Sequence, residues 1–318
     1  MSYINDQVES QRYIKNLSGK TKFIVSRNSR AIGLSRQTYQ NKLDGMRDQK
    51  IITNFTININ PNIHPINLKY VMLEIKTNPK EPELVKELLE IPQLRMLDGI
   101  IGDFSLFALF IFKSPEEYYQ ILNTIDKIMA KSYFKKYQII ETIKVFKTNG
   151  INMKKSEISF DIDDVDYTIL NILRDGQGIK PISTYDIRKI FKERLKMEIS
   201  QSTIHNRIKK LERQGVILNY IVNFNPKKIG FKGKYLLRIK PKDPSKYNEL
   251  AFRLSMNRNI TDLFRIGEQY GLFTIVRVKE IEDYANFIRD LYISEEIEDT
   301  YTNFVLDELI SYTNFIIS

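Results

Sequence analysis

The sequence predicts an α+β fold in which one module occurs twice, each copy a helical domain followed by a domain of strands and helices. Three observations predict it. A long segment recurs downstream with matching residues, helical periodicity precedes each copy of that segment, and alternating apolar strands follow each copy. A chain of 318 residues also has room for two or more domains that each bury a core.

Residues 35–61 align without a gap on residues 200–226. The identical pairs are Ser35/Ser200, Thr38/Thr203, Asn41/Asn206, Gln49/Gln214, Ile52/Ile217, Asn54/Asn219 and Asn60-Pro61/Asn225-Pro226. Further on, Lys69-Tyr70 matches Lys234-Tyr235, and Gly102 matches Gly267. The repeat indicates a tandem duplication of a module of about 160 residues.

After each Asn-Pro pair the pattern predicts strand, helix, strand, strand, helix, strand, which is the ferredoxin-like βαββαβ order. The clearest elements are strands at Tyr70–Ile75, Leu106–Phe112, Ile139–Phe146, Tyr235–Ile239, Leu272–Val278 and Thr300–Leu306, and helices at Glu83–Leu89, Pro115–Met129, Tyr247–Leu254 and Ile281–Leu291. We expect helical domains at 1–62 and 160–227, sheet domains at 66–148 and 232–318, and a polar linker at 149–159.

The helical domain of the second copy has three amphipathic helices. Asp163 is the expected N-cap of the first, the second begins near Ser183, and the Ser200 hydroxyl caps the third. In the third helix Ile204, Ile208 and Leu211 form the apolar stripe. Val216–Asn223, with a turn around Leu218-Asn219, predicts a short hairpin. Three helices and a wing make a winged helix-turn-helix, whose third helix lies in the major groove of DNA.

These segments resemble the Lrp/AsnC transcription regulators. The matching residues are Ile162-Asp163, Asp166, Ile169-Leu170 and Arg174-Asp175-Gly176, then Ile199-Ser200, Ser202-Thr203-Ile204, Arg207-Ile208-Lys209-Lys210-Leu211-Glu212 and Gly215-Val216-Ile217. The first copy matches chiefly through Gly33-Leu34-Ser35 and Thr38. The resemblance implies DNA binding, regulation of transcription and a βαββαβ domain for assembly and effector binding.

Charge follows the predicted domain boundaries. Residues 12–50 hold ten basic and two acidic side chains, residues 174–215 hold eleven and five, and residues 280–318 hold one and ten. The excess positive charge therefore lies on the helix-turn-helix segments, where DNA phosphates would bind, within a chain of net charge +10. A lysine-rich solvated surface without a ligand is the alternative interpretation.

The predicted DNA-binding residues come from the third helix of each copy: Gln201, Ser202, Thr203, His205, Asn206, Arg207, Lys209, Lys210, Arg36, Gln37, Gln40 and Lys42. Gln201, Ser202 and Asn206 suit base edges. Arg207 either reaches a phosphate, as the family pattern favours, or pairs with Glu193 or Glu212. Asp44-Gly45 and a truncated first helix mark the first copy as degenerate, so we expect it to contribute phosphate contacts.

The resemblance also implies an effector site at the glycine loops of the βαββαβ domains, with Gly102, Asp103, Gly267 and Glu268 as its residues. An amino acid or another metabolite is the effector class it suggests. A tether of about ten residues favours pairing of the two domains within one chain, whereas pairing between chains would give a homo-oligomer.

Composition limits the alternatives. Without cysteine there is no disulfide, thiolate nucleophile or Cys-bearing metal site, and His64 and His205 lie too far apart for a local metal motif. We expect no catalytic residues, no metal and no cofactor. Neither a signal peptide nor an apolar run of the ~20 residues that span a bilayer is present, so we expect a cytoplasmic location.

Two other functions stay open at this stage. Siroheme decarboxylases are similar to Lrp/AsnC proteins and include fused forms, but their site needs histidines and arginines, and this chain has two histidines. The other is an interaction protein that has lost its affinity for DNA and pairs with other regulators.

Overall fold

The computed structural model describes residues 2–62, 66–78, 80–153 and 161–317, with side chains from Asp6 onward. The chain forms two compact units, and each takes residues from both halves of the sequence. The helical unit contains residues up to 62, 161–230 and 312–317; the sheet unit contains 66–153, apart from 79, and 231–311. Helices and strands are numbered in chain order.

The first helical domain consists of α1 (Ser2–Leu17), α2 (Val25–Ala31), α3 (Arg36–Asp48) and the strand β1 (Ile52–Ile59). Tyr13, Ile14 and Leu17 of α1 are buried, whereas Val8 is exposed. The Ser35 hydroxyl accepts a hydrogen bond from the Thr38 backbone at 3.0 Å and begins α3. The expected truncation of the first helix is wrong, because α1 has 16 residues.

The second helical domain consists of α6 (Asp164–Asp175), α7 (Thr184–Arg194), α8 (Gln201–Arg213) and the strand β7 (Ile217–Phe224). Asp163 and Ser200 cap α6 and α8 as predicted, accepting hydrogen bonds from the backbone N–H groups of Asp166 and Thr203. The predicted apolar stripe of α8 is confirmed: Ile204, Ile208 and Leu211 are its buried residues.

The predicted wing hairpin at Val216–Asn223 is wrong. Strand β7 is continuous there and pairs antiparallel with β1, with Asn58 opposite Asn219 and Thr56 opposite Ile221. A two-residue hairpin turn needs a positive φ, which neither Leu218 nor Asn219 has. The two helical domains of this unit instead supply each other with a partner strand.

The sheet unit contains the predicted βαββαβ order in both of its parts. The first is β2 (Lys69–Ile75), α4 (Pro82–Leu89), β3 (Leu94–Ile100), β4 (Leu106–Phe112), α5 (Pro115–Ala130) and β5 (Tyr137–Thr148), followed by the short β6 (Ile151–Asn152). The second is β8 (Gly233–Pro241), α9 (Tyr247–Ser255), β9 (Ile260–Ile266), β10 (Leu272–Val278), α10 (Ile281–Ile293) and β11 (Ile297–Glu308).

The strands form one sheet in the order β2-β4-β3-β11-β8-β10-β9-β5-β6, and β2 also pairs with β5, so the sheet closes on itself. The two long strands make the junctions. Residues 137–141 of β5 pair with β2, and 142–147 pair with β9. Likewise 297–304 of β11 pair with β8, and 305–308 pair with β3. Each closing strand therefore belongs to both βαββαβ sets.

Both faces of this sheet are buried, which explains its nearly continuous apolar strands. One face of the first set packs under α4 and α5, and one face of the second under α9 and α10. The inner faces of the two sets share a third core that includes Met72, Phe107, Leu236, Phe264 and Phe273. The site residues of the sheet unit lie at the end of this inner core.

Two sequence expectations fail at the boundaries. Part of the expected linker at 149–159 is the strand β6, which pairs with Lys147 and Thr148 of β5; the part from 154 onward lies outside the described residues. The expected domain 232–318 ends at Ser311, because the segment after it joins the helical unit. There Thr313 exchanges backbone hydrogen bonds with Phe224, and Phe315 contacts the Phe224 ring at 4.9 Å.

Candidate nucleic-acid interface and effector loops

The outward face of α8 is polar and accessible. Gln201, Ser202, Thr203, His205 and Asn206 are exposed, and the apolar stripe on the opposite side anchors the helix to its domain. Among the residues that the structure describes, no hydrogen-bond partner is recorded for His205 or Asn206. Their side chains are therefore available to donors and acceptors outside the protein.

Other polar residues of α8 already have partners. The Gln201 amide donates to the Thr184 hydroxyl at 2.9 Å, and Ser202 shares a hydrogen bond with the capping Ser200. Lys209 lies 2.7 Å from Glu212, and Lys210 donates to the Asp161 carbonyl oxygen at 2.7 Å. Both lysines are half-buried, and their long stems let the ammonium groups exchange these contacts for phosphate.

Arg207 binds two acids of α6 and its cap. Its Nη1 lies 2.7 Å from Asp163 and 3.0 Å from Asp166, whose side chain is 1% exposed. Partial burial raises the pKa of Asp163, but hydrogen bonds from the Asp166 backbone and from Arg207 outweigh it and hold that pKa below its usual value. The partners of Arg207 are therefore not the expected Glu193 or Glu212, and its phosphate contact stays a prediction.

The corresponding face of α3 is more self-contained. Arg36 and Gln37 are exposed, and Gln37 donates to Asn41 at 2.8 Å. Gln40 donates to Asp44, and Lys42 pairs with Glu9 of α1. Two of the four predicted residues of this helix are thus engaged by acids, which leaves Arg36 as its accessible cation.

The glycine loops lie at one end of the inner core of the sheet unit. Glu268 is half-buried and pairs with Nε of Arg238 at 2.7 Å, while a side chain on Gly102 would meet Asn303 and Tyr301. Because Arg238 also contacts Asn303 at 3.3 Å, Gly102 and Glu268 belong to one cluster. Asp103 is exposed and outside it, and the Gly267 backbone donates to the Glu141 carbonyl oxygen.

The sequence did not single out Arg238, Tyr301 or Asn303. The Arg238 guanidinium lies over the Tyr301 ring at 5.3 Å and fills the space between the loops. Burial raises the pKa of Glu268 despite the Arg238 ion pair, and the nearby Glu74 adds to the increase. The signal that could have found Arg238 is its alternation in β8, where Lys234 and Arg238 share one face and Tyr235, Leu237 and Ile239 the other.

Known proteins match this chain in sequence. The family model for the Lrp/AsnC ligand binding domain matches residues 235–315. The HTH-type transcriptional regulator FL11 of Pyrococcus furiosus is 32% identical over 146 residues, which are 46% of this chain and 89% of FL11. The HTH-type transcriptional regulator Ptr1 of Methanocaldococcus jannaschii is 31% identical over 129 residues, 41% of this chain and 80% of Ptr1.

The chain belongs to the Lrp/AsnC family of HTH-type transcriptional regulators. Each of these relatives covers less than half of this Lrp/AsnC protein. A DNA partner and a small-molecule effector are the partner classes that this membership supports. Among the described residues no helix is long and apolar enough to cross a membrane.

A solved structure matches almost the whole chain. The siroheme decarboxylase NirDL has a TM-score of 0.61 at 11% sequence identity, over 96% of this chain and 92% of that one. At this identity the likeness concerns the fold alone. This Lrp/AsnC protein and NirDL share a fold over nearly the full length of both chains.

Proposed function

We propose that this protein is a sequence-specific DNA-binding transcriptional regulator that inserts α8 into the major groove. The observation that carries the proposal is the outward face of α8, where exposed His205 and Asn206 stand over a buried apolar stripe. An asparagine amide can bind adenine through two hydrogen bonds, which gives this face the chemistry for reading a base. Gln201 and Ser202 extend the same face toward the N-terminus of the helix.

The two helix-turn-helix domains have different roles in this proposal. The first supplies phosphate contacts through exposed cations such as Arg30 and Arg36, because Gln40 and Lys42 are held by acids. We infer further that the chain arose by tandem duplication of one Lrp/AsnC module, with the two βαββαβ sets pairing inside one chain. The recurring order of elements and the residue matches at 35–61 and 200–226 support it.

An effector, if one regulates DNA binding, would act at the loops around Gly102 and Glu268. Arg238 lies between them, so a ligand carboxylate would take the place of Glu268 on the guanidinium. The proposed effector class is accordingly a small carboxylate-bearing metabolite such as an amino acid.

The first test is binding to a duplex from the protein's own upstream region and to a random duplex across a salt series. We expect tight binding that favours the first duplex and weakens steeply with salt, since each neutralised phosphate adds about 0.9 to the log–log slope. Equal and weak binding to both duplexes would instead support an interaction protein that pairs with other regulators.

A matched pair of variants sharpens this test. Asn206→Ala on α8 should weaken specific binding about 5- to 150-fold, equivalent to ~1–3 kcal/mol for a base contact, without changing random binding. Asn41→Ala, at the matching position of α3, should leave the sequence preference unchanged. Arg36→Ala should weaken both duplexes alike and reduce the salt slope by about 1. Equal loss of preference in the two asparagine variants would contradict the division of roles.

The second candidate function is decarboxylation of a tetrapyrrole, favoured by the whole-chain fold likeness to NirDL. We propose that this protein does not catalyse it, because a chain with two histidines offers few acid–base groups for such a site. One of them, His205, is on the DNA-reading face of α8, and His64 lies outside the described residues. Titration with siroheme, followed by absorbance, tests this: saturable binding and loss of carbon dioxide would establish the enzyme.

A further inference from the structure

The inner face of the closed sheet is built from two sets of strands whose equivalent positions can be matched through their pairing. Leu106 lies opposite Ile75, and Leu272 lies opposite Ile239, so β2 and β4 correspond to β8 and β10. On this register Glu74, opposite Phe107, is the equivalent of Arg238, opposite Phe273. The sequence match of Tyr70 with Tyr235 is therefore wrong at this strand, and the equivalent of Tyr70 is Lys234.

Equivalent residues meet where the two sets face each other. The Phe107 and Phe273 rings stack with centroids 5.2 Å apart. Next to them Glu74 lies 2.7 Å from Nη2 of Arg238, and both side chains are buried. Contacts between equivalent residues mark the approximate two-fold axis that relates the sets. At that axis the first set carries an acid, and the second carries a base.

A second cluster of charges repeats the asymmetry. Lys234 lies 2.6 Å from Asp98 and 3.2 Å from Glu308, and Arg277 lies 2.5 Å from Glu308. All four side chains are buried. Asp98 comes from the first set, and the other three residues come from the second.

The equivalents of these four charges are apolar. Strand pairing matches Lys234 to Tyr70, Arg277 to Ile111, Asp98 to Phe264 and Glu308 to Val145. Where Lys234 binds Asp98 on one side of the axis, Tyr70 contacts Phe264 at 5.6 Å on the other. The inner face of each set is therefore complementary to the inner face of the other set and not to a second copy of its own.

Pairing of like sets would break both clusters. Two copies of the first set would bury Glu74 against Glu74 and leave Asp98 beside the ring of Tyr70. Two copies of the second would bury Arg238 against Arg238, with Glu268 as the acid left to each arginine, and would place Lys234 against Phe264, with Glu308 as its remaining partner. Buried like charges and a buried ion without its partner are each strongly destabilising, because desolvation is not repaid.

We propose that the inner face of each βαββαβ set recognises only the opposite set of the same kind of chain, so that like sets from two copies do not close a sheet together. The partner that this surface fits has the reversed charge at the axis. The proposal rests on the pairing of the sets inside one sheet and not on DNA binding, and its test contains no DNA.

Reversing one charge of the Glu74–Arg238 pair in the full chain creates the same contact between like charges that two identical sets would make at the axis. Glu74→Arg sets arginine against Arg238, and Arg238→Glu sets glutamate against Glu74. We expect each to lower the Tm by about 10 °C, as expected for breaking a buried ion pair in a unit of this size. The double variant Glu74→Arg/Arg238→Glu restores a cation–anion pair at the axis, although the new carboxylate also faces Glu268, so it should recover part of the summed loss.

The exposed pair of Lys240 and Glu298 on the neighbouring strands β8 and β11 provides the control. Lys240→Glu should change the Tm by no more than about 2 °C, because a surface ion pair contributes little. If the single axis variants do not fold, a soluble double variant still supports the proposal. Axis variants no worse than Lys240→Glu, or a double variant that loses the full sum or stays insoluble, would overturn it.

Discussion

Arg207 lies on the helix that would enter DNA, yet its guanidinium holds the start of α6. Its two partners are the cap Asp163 and the buried Asp166, for which Arg207 is the nearer of two cations. Lys210 adds a weaker contact with Asp166 at 3.9 Å. These ion pairs join α8 to the start of α6, so Arg207 has a structural role in the domain whether or not it also contacts a phosphate.

Arg207→Ala should therefore act on stability first. We expect the free energy of unfolding to fall by about 2–3 kcal/mol, because the buried Asp166 carboxylate would lose its nearest cation and keep only the more distant Lys210. Arg213→Ala, an exposed cation on the same helix, serves as the control and should change stability by less than 0.5 kcal/mol, roughly the surface value. Chemical denaturation measures both. Equal stability of the two variants would restore the phosphate interpretation of Arg207.

Lys147 is a second residue whose environment defines a measurable property. Its ammonium group is buried at the end of α9 and donates to the carbonyl oxygens of Ser255 and Asn257 at 2.7 and 2.9 Å. Burial lowers the pKa of Lys147 to about 8, although Asp262 opposes the shift. The unfolded chain, with an ordinary lysine pKa, binds more protons than the folded chain above that pH.

This difference predicts stability that rises with pH. Between about pH 8 and pH 10 the free energy of unfolding should increase by ~1–2 kcal/mol relative to Lys147→Met, which lacks the titrating group. The comparison removes contributions that the two proteins share, including tyrosines that titrate at higher pH. Parallel stability curves for the two proteins across this range would show that Lys147 keeps an ordinary pKa.

Strands β1 and β7 show how an element takes its partner from the far half of the chain. Two asparagine pairs cross this ladder. Asn58 donates to Asn219 at 2.8 Å, and Asn223 donates to Asn54 at 3.0 Å. The Asn58–Asn219 pair is buried, while Asn54 and Asn223 are half-buried. The two pairs are equivalent to each other, because Asn54 aligns with Asn219 and Asn58 aligns with Asn223 in the sequence repeat.

Asn58→Leu should cost about 1–3 kcal/mol of stability, because the Asn219 amide oxygen would lose its donor in a buried place. Asn54→Leu, the matched change at the half-buried pair, should cost less. The double variant Asn58→Leu/Asn219→Leu should recover part of the loss, since neither amide is then left facing an apolar side chain, although the half-buried Ser18 hydroxyl loses its hydrogen bond from Asn219. Denaturant unfolding of the wild type, Asn58→Leu, Asn219→Leu and the double variant gives the coupling energy, and a coupling of zero would deny that the strands pair through these residues.

On the scale of the whole molecule, the chain alternates between its two units. It enters the sheet unit after the first helix-turn-helix, returns to the helical unit, enters the sheet unit again, and ends beside β7. The last segment is fixed by Phe315, which is buried against Phe224, and by the Tyr312 hydroxyl, which donates to the Lys50 carbonyl oxygen. Both copies of a domain therefore share one core in each unit.

Phe315→Ala should destabilise the helical unit by about 3–5 kcal/mol, as removal of a buried aromatic ring generally does. Tyr312→Phe, which removes only an exposed hydroxyl, is the control and should cost about 1 kcal/mol or less. Thermal unfolding followed by circular dichroism compares them. If Phe315→Ala were as stable as Tyr312→Phe, the segment after Ser311 would not belong to the core of this unit.

Local pattern determined much of this protein. The spacing of apolar residues predicted the buried stripe of α8, the caps at Asp163 and Ser200, and strands β4 and β10 to the residue. Gln201, Ser202 and Asn206, the side chains predicted to suit base edges, are also exposed. These features depend on the side-chain periods of helices (3.6 residues) and strands (2 residues) and on capping hydrogen bonds. Both act between residues close together in the chain, so the sequence alone predicts them.

Tertiary structure alone decided which segments became partners. The strand after α8 has the same alternation whether it folds into a hairpin or pairs with β1, and only the presence of the second strand selects between them. Arg207 pairs with Asp163 and Asp166, which lie more than forty positions earlier in the chain. The registers of β2 with β4 and of β8 with β10 make Lys234, rather than Tyr235, the equivalent of Tyr70. The energy of pairing two distant segments depends on the distances between their side chains, which a linear pattern does not contain. A buried charge finds its partner only after folding has brought the two segments together.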